Sequence, residues 1–282
     1  MIKTGRDPIH QAAPADCGQH DMSDTADKNW TGKSEQEWRT DVGDNYTLEA
    51  QTYDQRRSVH INARFFFEVS YGVLNELLGE VPEGAVHMDM PVGTGRFLYY
   101  LRDHGRTHDM LGVDISPGML KVCRDRARER GERLPVMFGD AFRICLADNS
   151  VDVLSSLRFF HLFPVRYWPA IVKEMFRVLK PGGVLLVDLR NLFRFGAWGI
   201  VKEFRDRWIN KDQPHGFLAP TRLGSLFADW EIEKTVGVGV DGAPQLSALS
   251  PSLAHRLSRL GRYRPWKYLT KEIVVKARKP AS

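Results

Sequence analysis

Between residues 85 and 190, short β-rich runs alternate with longer amphipathic segments, and this alternation constrains the chain more than any other feature of its sequence. Residues 85–90, 110–113, 136–138, 151–155 and 184–188 read as strands, and 96–104, 117–130 and 167–179 as helices. Strands separated by helices of that length imply a parallel sheet covered on both faces. The right-handedness of such crossovers then predicts a doubly wound α/β fold.

The flanks differ from this middle. Residues 1–45 are rich in Asp, Gln, Ser, Thr and Gly and poor in spaced hydrophobes, so they are expected to form a mobile tail unable to offset its ordering entropy. A helical pattern runs from Thr47 to Leu78, with Tyr53, Phe65, Phe66, Val69, Val73, Leu74 and Leu77 as apolar positions and Gly79 and Pro82 as its stop. A helical segment over 46–82 and one α/β domain over 83–282 follow. An aromatic and basic stretch at 191–213 interrupts the pattern, with a helix expected over 198–208. It reads as an inserted lid spanning 190–217. A helix at 220–227 and strands at 232–240 and 272–277 complete the reading. At 282 residues the chain suits one main domain with attachments.

No run approaches the roughly 18 apolar residues of a membrane-spanning helix, and the polar start lacks a secretory apolar segment. The three cysteines, Cys17, Cys123 and Cys145, are far apart and contain no CxxC pair, which suggests neither a disulfide framework nor a zinc site. Reduced thiols and a cytoplasmic location are the matching expectations. Charge is uneven: residues 1–45 hold five Lys/Arg against nine Asp/Glu, although the whole chain carries +5. The basic body favours anionic partners without naming one.

The chemistry concentrates in one loop. Asp89 ends the first strand, and Pro91, Gly93 and Gly95 form the turn before the next helix. Glycines there let a backbone approach a ligand, and the helix start offers unpaired N–H groups. A dinucleotide GxGxxG would need its third glycine where Leu98 stands. Asp114, 19 residues past Gly95, ends the second strand, where a carboxylate can accept from both ribose hydroxyls. Gly139-Asp140-Ala141 ends the third, where a carboxylate can accept from an adenine amino group while the next N–H meets a ring nitrogen. Lys180-Pro181-Gly182-Gly183 stops a helix immediately before an apolar strand.

In this order and spacing, the segments DMPVGTGRF, GVDISPGML, GDAFRICLADNSVDVL, RFFHL and EMFRVLKPGGVLLVD resemble class I S-adenosylmethionine-dependent methyltransferases of the small-molecule type 11/25 group, over about residues 85–190. The resemblance implies a Rossmann-like seven-stranded sheet whose last strand is antiparallel. It implies S-adenosylmethionine as cofactor, with Asp89, Gly93 and Gly95 around the methionine moiety, Asp114 on the ribose, Asp140 and Ala141 at the adenine, and Ile115 and Phe142 flanking that ring. Pro91 departs from the family, replacing its first loop glycine with a residue that donates no N–H.

Methyl transfer from a sulfonium chiefly requires an acceptor lone pair aligned behind the methyl carbon in a dry cavity. A hydroxyl acceptor gains from a base, for which His161 after the fourth strand is the candidate, a structural histidine being the alternative. Arg158 is a candidate for an anionic substrate, or else an ordinary salt bridge. Tyr53 and, in the insertion, Trp198 are candidate substrate contacts. The basic and aromatic stretch at 256–268 suits nucleic acid, an anionic lipid surface or a phosphorylated or glycosylated small molecule, and no RNA-binding module accompanies it. The leading expectation is methylation of O or N of a small metabolite or saccharide-like biosynthetic intermediate. An RNA or protein methyltransferase and a non-catalytic cofactor-binding protein are the alternatives.

Overall fold

The computed structural model describes residues 34–58, 61–82, 84–195 and 216–281. Its centre is one seven-stranded sheet in the order β3-β2-β1-β4-β5-β7-β6. The strands are β1 (Val86–Asp89), β2 (Asp109–Asp114), β3 (Val136–Phe138), β4 (Val151–Ser156), β5 (Leu179–Arg190), β6 (Glu231–Val238) and β7 (Glu272–Arg278). Strands β1 to β5 pair in parallel, whereas β7 is antiparallel to both β5 and β6. The expected doubly wound sheet with an antiparallel last strand is therefore present.

Alternate side chains of the strands feed two apolar layers, the arrangement that a parallel sheet buried on both faces requires. Met88, Leu111, Val113, Leu154, Leu185 and Val187 pack with Trp168, Ile171, Val172 and Met175 of α6 (Trp168–Val178). Met110, Val153, Leu186 and Val274 pack on the other face. There they meet Leu74 of α3 (Ile61–Leu78), Leu98 and Leu101 of α4 (Arg96–Asp103), and Leu120 of α5 (Pro117–Glu129). Ser116 caps α5 by accepting from the Met119 N–H, and Pro117 occupies its first position. Helix α6 ends at Val178, and Gly182, at φ +78°, lies within β5 where its pairing with β4 shifts register between Leu179 and Val184.

The N-terminal side corrects one expectation. Residues 35–45, assigned above to a mobile tail, belong to helix α1 (Glu35–Glu49). Ser34 and Glu37 form a reciprocal capping box at its start, and Trp38 is buried in the main core. One large aromatic and a good cap hold a helix whose composition looked too polar to fold. A short helix α2 (Tyr53–Ser58) joins α1 to α3. Residues 1–33 and most of the expected lid, including Trp198 and the helix over 198–208, lie outside the described residues. The described remnant of that insertion is a short turn, Leu192–Phe195. Cys123 is a free, buried thiol, but Cys145 is disulfide-bonded, so the reduced-thiol expectation fails there.

Candidate active site

The carboxyl ends of β1, β2 and β4 open into a cleft, the position in which open α/β sheets bind ligands. Asp89 stands on its floor. The residue is 2% exposed, and its Oδ1 accepts from the Ser155 hydroxyl at 2.5 Å. Ser155 lies directly across the β1–β4 ladder, which is why the two side chains meet. Behind Ser155 the contacts continue inward: its Oγ is 2.9 Å from His87 Nε2, and His87 Nδ1 is 3.0 Å from His108 Nε2. Burial pushes His87 down to about 3, so the ring is neutral. His108 Nε2–H donating to His87 Nδ1, His87 Nε2–H to Ser155, and Ser155 O–H to Asp89 is the proton arrangement that satisfies every member when Asp89 is ionised. Burial also raises the Asp89 carboxyl to about 7, partly offset by the Ser155 bond.

Asp114 braces the loop beside it. Its Oδ2 accepts from the Gly93 N–H and its Oδ1 from the Ser116 N–H, both at 2.8 Å. Desolvation outweighs these bonds and lifts its carboxyl to about 6. The loop is further fixed by Met90 N–H to the Ser155 carbonyl and Val92 N–H to the Val113 carbonyl. The two glycines divide the work of the turn. A methyl group on Gly93 would meet nothing within 4 Å, whereas one on Gly95 would stand 2.6 Å from Tyr99 and 2.7 Å from Cys123. Gly93 thus faces open space in the cleft, and Gly95 is where the loop presses against α4 and α5.

Of the residues expected from sequence, Asp89, Pro91, Gly93, Asp114, Ile115, Tyr53 and Arg158 line this single cleft. Gly95, Asp140, Ala141 and Phe142 do not line it. Asp140 accepts from the Phe142 N–H at 2.9 Å through Oδ1, and its Oδ2 forms an ion pair with Arg39 of α1. The Arg39 guanidinium also lies 5.4 Å from the Phe142 ring centre. His161 is buried in the short turn Phe160–Leu162 and is not among the lining residues, so the cleft does not present it as a base.

Sequence reading named Tyr53 but missed the α1 part of the cover. Val42 and Tyr46 of α1 form part of the cleft wall, with Thr47 Oγ1 bonded to Ser116 Oγ at 2.9 Å. Asp54 of α2 accepts from the Thr94 hydroxyl at 2.9 Å and pairs with Arg126, tying α2 to the loop and to α5. Phe67, Tyr71, Arg96, Leu157 and Leu162 close the remaining sides. The Ser34-x-x-Glu37 box was a local signal that could have revealed α1; nothing local marks Asp54.

This arrangement suits a nucleoside bearing positive charge. Two buried carboxylates with raised affinity for protons share one cleft, and neither makes an ion pair with a described residue. A cationic ligand would relieve both. The fold and site thus define a Rossmann-like nucleoside-binding α/β protein.

The family described as "Methyltransferase domain" matches residues 88–183. The ubiquinone/menaquinone biosynthesis C-methyltransferase UbiE of Paraburkholderia phymatum is 31% identical over 195 residues, covering 60% of this chain and 79% of that protein. The Neisseria gonorrhoeae UbiE is 39% identical over 101 residues, and there the match spans 36% of this chain and only 40% of the relative's length. The malonyl-[acyl-carrier protein] O-methyltransferase of Serratia marcescens is 29% identical over 184 residues, 62% of this chain and 65% of that one. Among solved structures, the geranyl diphosphate C-methyltransferase of Streptomyces coelicolor A3(2) superposes with a TM-score of 0.61 at 14% identity, covering 86% of this chain and 98% of that one, a likeness of fold. The chain belongs to the class I S-adenosylmethionine-dependent methyltransferases.

Proposed function

We propose that this protein transfers the methyl group of S-adenosylmethionine to an oxygen or nitrogen of a small biosynthetic acceptor, a metabolite or saccharide-like intermediate. The observation that carries the reading is the pairing, within one cleft, of the Asp89–Gly93–Asp114 cradle with an aromatic and apolar wall. The cofactor supplies an electrophilic methyl group. Asp89 is placed to offset the positive charge of its methionine end, and Asp114 to accept from its ribose. Gly93 leaves room for its backbone to approach. Asp140, Ala141 and Phe142 would meet the adenine once Arg39 has moved from Asp140.

Tyr46, Tyr53, Phe67, Tyr71, Leu157 and Leu162 form the opposite wall. Such a lining excludes water and leaves orientation of the acceptor as the main catalytic contribution. The basic stretch at 256–268 contributes no lining residue, and two of its cations are engaged elsewhere, Arg262 with Glu76 and Lys267 with the Thr235 hydroxyl. These contacts favour a small acceptor over nucleic acid. Among the described residues no helix is long and apolar enough to cross a membrane, and a cytoplasmic location is part of the proposal.

Calorimetric titration with S-adenosylmethionine should show saturable binding that Asp114→Ala abolishes. A screen of small-molecule extracts with isotopically labelled cofactor, read by mass spectrometry, should then locate the label on O or N. Binding without transfer to any acceptor would leave only a cofactor-binding protein, and label on carbon would overturn the choice of atom.

A further inference from the structure

Beside the cleft, at the end of β5, the chain gathers positive charge: Arg158 lines the cleft, and Arg190, which is not itself among the lining residues, lies close enough to interact electrostatically with the lining residues Arg158 and Tyr46. Arg158, which follows β4, adopts φ +57°, a conformation costly for any residue with a side chain. The geometry is held from several sides. Its N–H donates to Asp188 Oδ1 at 2.7 Å, its guanidinium pairs with the buried Glu272 of β7, and the same group lies 5.3 Å from the Phe66 ring centre. Arg158 is thereby fixed as part of the cleft wall.

Arg190 ends β5 and stands directly opposite Glu272 in the antiparallel ladder, so the two side chains leave the same face of the sheet. Glu272, however, is engaged by Arg158. Among the described residues the Arg190 guanidinium makes no ion pair and no hydrogen bond, although the backbone carbonyl accepts from the Leu218 N–H; the guanidinium lies 5.7 Å from the Phe217 ring centre. Burial, with the neighbouring Arg158 and Arg194 acting in the same direction and Asp188 against them, pushes its pKa down to about 10. Both carboxylates near it, Asp188 and Glu272, already serve Arg158. Tyr46 of α1 also lines the cleft and interacts electrostatically with both Arg158 and Arg190. Burial raises its phenol to about 12, so the hydroxyl remains a donor at neutral pH.

A half-desolvated guanidinium that makes no direct ion pair or hydrogen bond, beside a second cation and a phenol donor and with only the more distant field of Asp188 to offset it, is costly unless a ligand supplies a direct partner. We infer that Arg190, with Arg158 and the Tyr46 hydroxyl beside it, anchors an anionic group of the methyl acceptor, a carboxylate or a phosphate. Planar guanidinium forks match both groups bidentately. The inference rests on the methyltransferase reading and narrows it: the acceptor enters with its charged end toward β5 and β7, and its nucleophile toward Asp89 and Gly93.

The test uses the full chain saturated with S-adenosylhomocysteine, titrated calorimetrically with inorganic pyrophosphate and separately with malonate. At least one probe should bind saturably, a preference for pyrophosphate indicating a phosphate and for malonate a carboxylate. Arg190→Gln should weaken that binding at least tenfold with S-adenosylhomocysteine affinity unchanged within twofold, and Arg190→Lys should recover part of the loss. A second readout avoids dependence on folding of the variant: in the wild type the bound anion should protect Arg190 from phenylglyoxal, located by peptide mass spectrometry. Saturable S-adenosylhomocysteine binding with no anion binding, or no protection of Arg190, overturns the anion site alone. No S-adenosylhomocysteine binding would instead overturn the methyltransferase reading.

Discussion

Arg39 of α1 holds, by an ion pair, the Asp140 carboxylate oxygen that the Phe142 N–H leaves free. An adenine amino group seeking the same carboxylate must displace it. Both partners are largely shielded, with side chains 20% and 15% exposed, so opening the pair is expected to cost about 1 kcal/mol. Arg39→Met keeps the apolar stem and removes the competing donor. Stopped-flow measurement should find cofactor association faster by about fivefold; an unchanged or slower rate would show that the pair does not gate the adenine end.

The raised carboxyl of Asp89 makes the ligand-free protein sensitive to pH. In the unfolded chain this group ionises near its ordinary value of 3.8, whereas in the fold it holds its proton up to about 7. Between those values the unfolded state binds fewer protons, so stability should fall as pH rises through the window and level off above 7. Asp114, raised to about 6, acts in the same direction. The Asp89 contribution is on the order of 4 kcal/mol. Asp89→Asn should therefore flatten the pH dependence of urea denaturation and stabilise the ligand-free protein at pH 8, while losing cofactor binding. Unaltered pH dependence in the variant would mean that Asp89 is ionised throughout.

Ser155 connects Asp89 to the histidine pair. Replacing it with alanine leaves both the Asp89 oxygen and the His87 nitrogen without that partner, at a cost of about 2–4 kcal/mol by thermal denaturation. The same bond lowers the Asp89 pKa, so its loss should move the pH dependence of cofactor binding upward. Retention of both wild-type values would show that the chain of contacts is not formed in solution.

The two loop glycines should respond differently to alanine. At Gly95, φ +80° combines with contacts of 2.6 and 2.7 Å to give an expected loss of about 2–4 kcal/mol. Gly93, at φ +54° with free space around the added methyl group, should lose only about 1 kcal/mol. Its methyl group would occupy the cleft, and calorimetry should record weaker cofactor binding in a folded protein. Equal destabilisation of the two variants would contradict the division of roles.

The sheet, the order of its central elements and several of the residues that line the cleft were legible because they depend on local chemistry. Apolar runs bury on both faces, Gly93 and Gly95 permit a left-handed turn, and Asp89 and Asp114 stand at strand ends, all within a few residues of one another. Helix α1 was not recognised because its polar composition outweighed Trp38, whose anchoring depends on a core that only the folded sheet supplies.

The sequence by itself determined the parallel alternation and its acidic strand ends. Only the tertiary structure decided that Arg39 occupies Asp140, that Asp54 ties α2 to Arg126, that buried His161 does not line the cleft, and that Arg190 faces Glu272 already engaged by Arg158. Local propensity and hydrophobic period act over a few residues. An ion pair between positions a hundred residues apart is set by where the packed elements bring their ends together, and no local pattern encodes that distance.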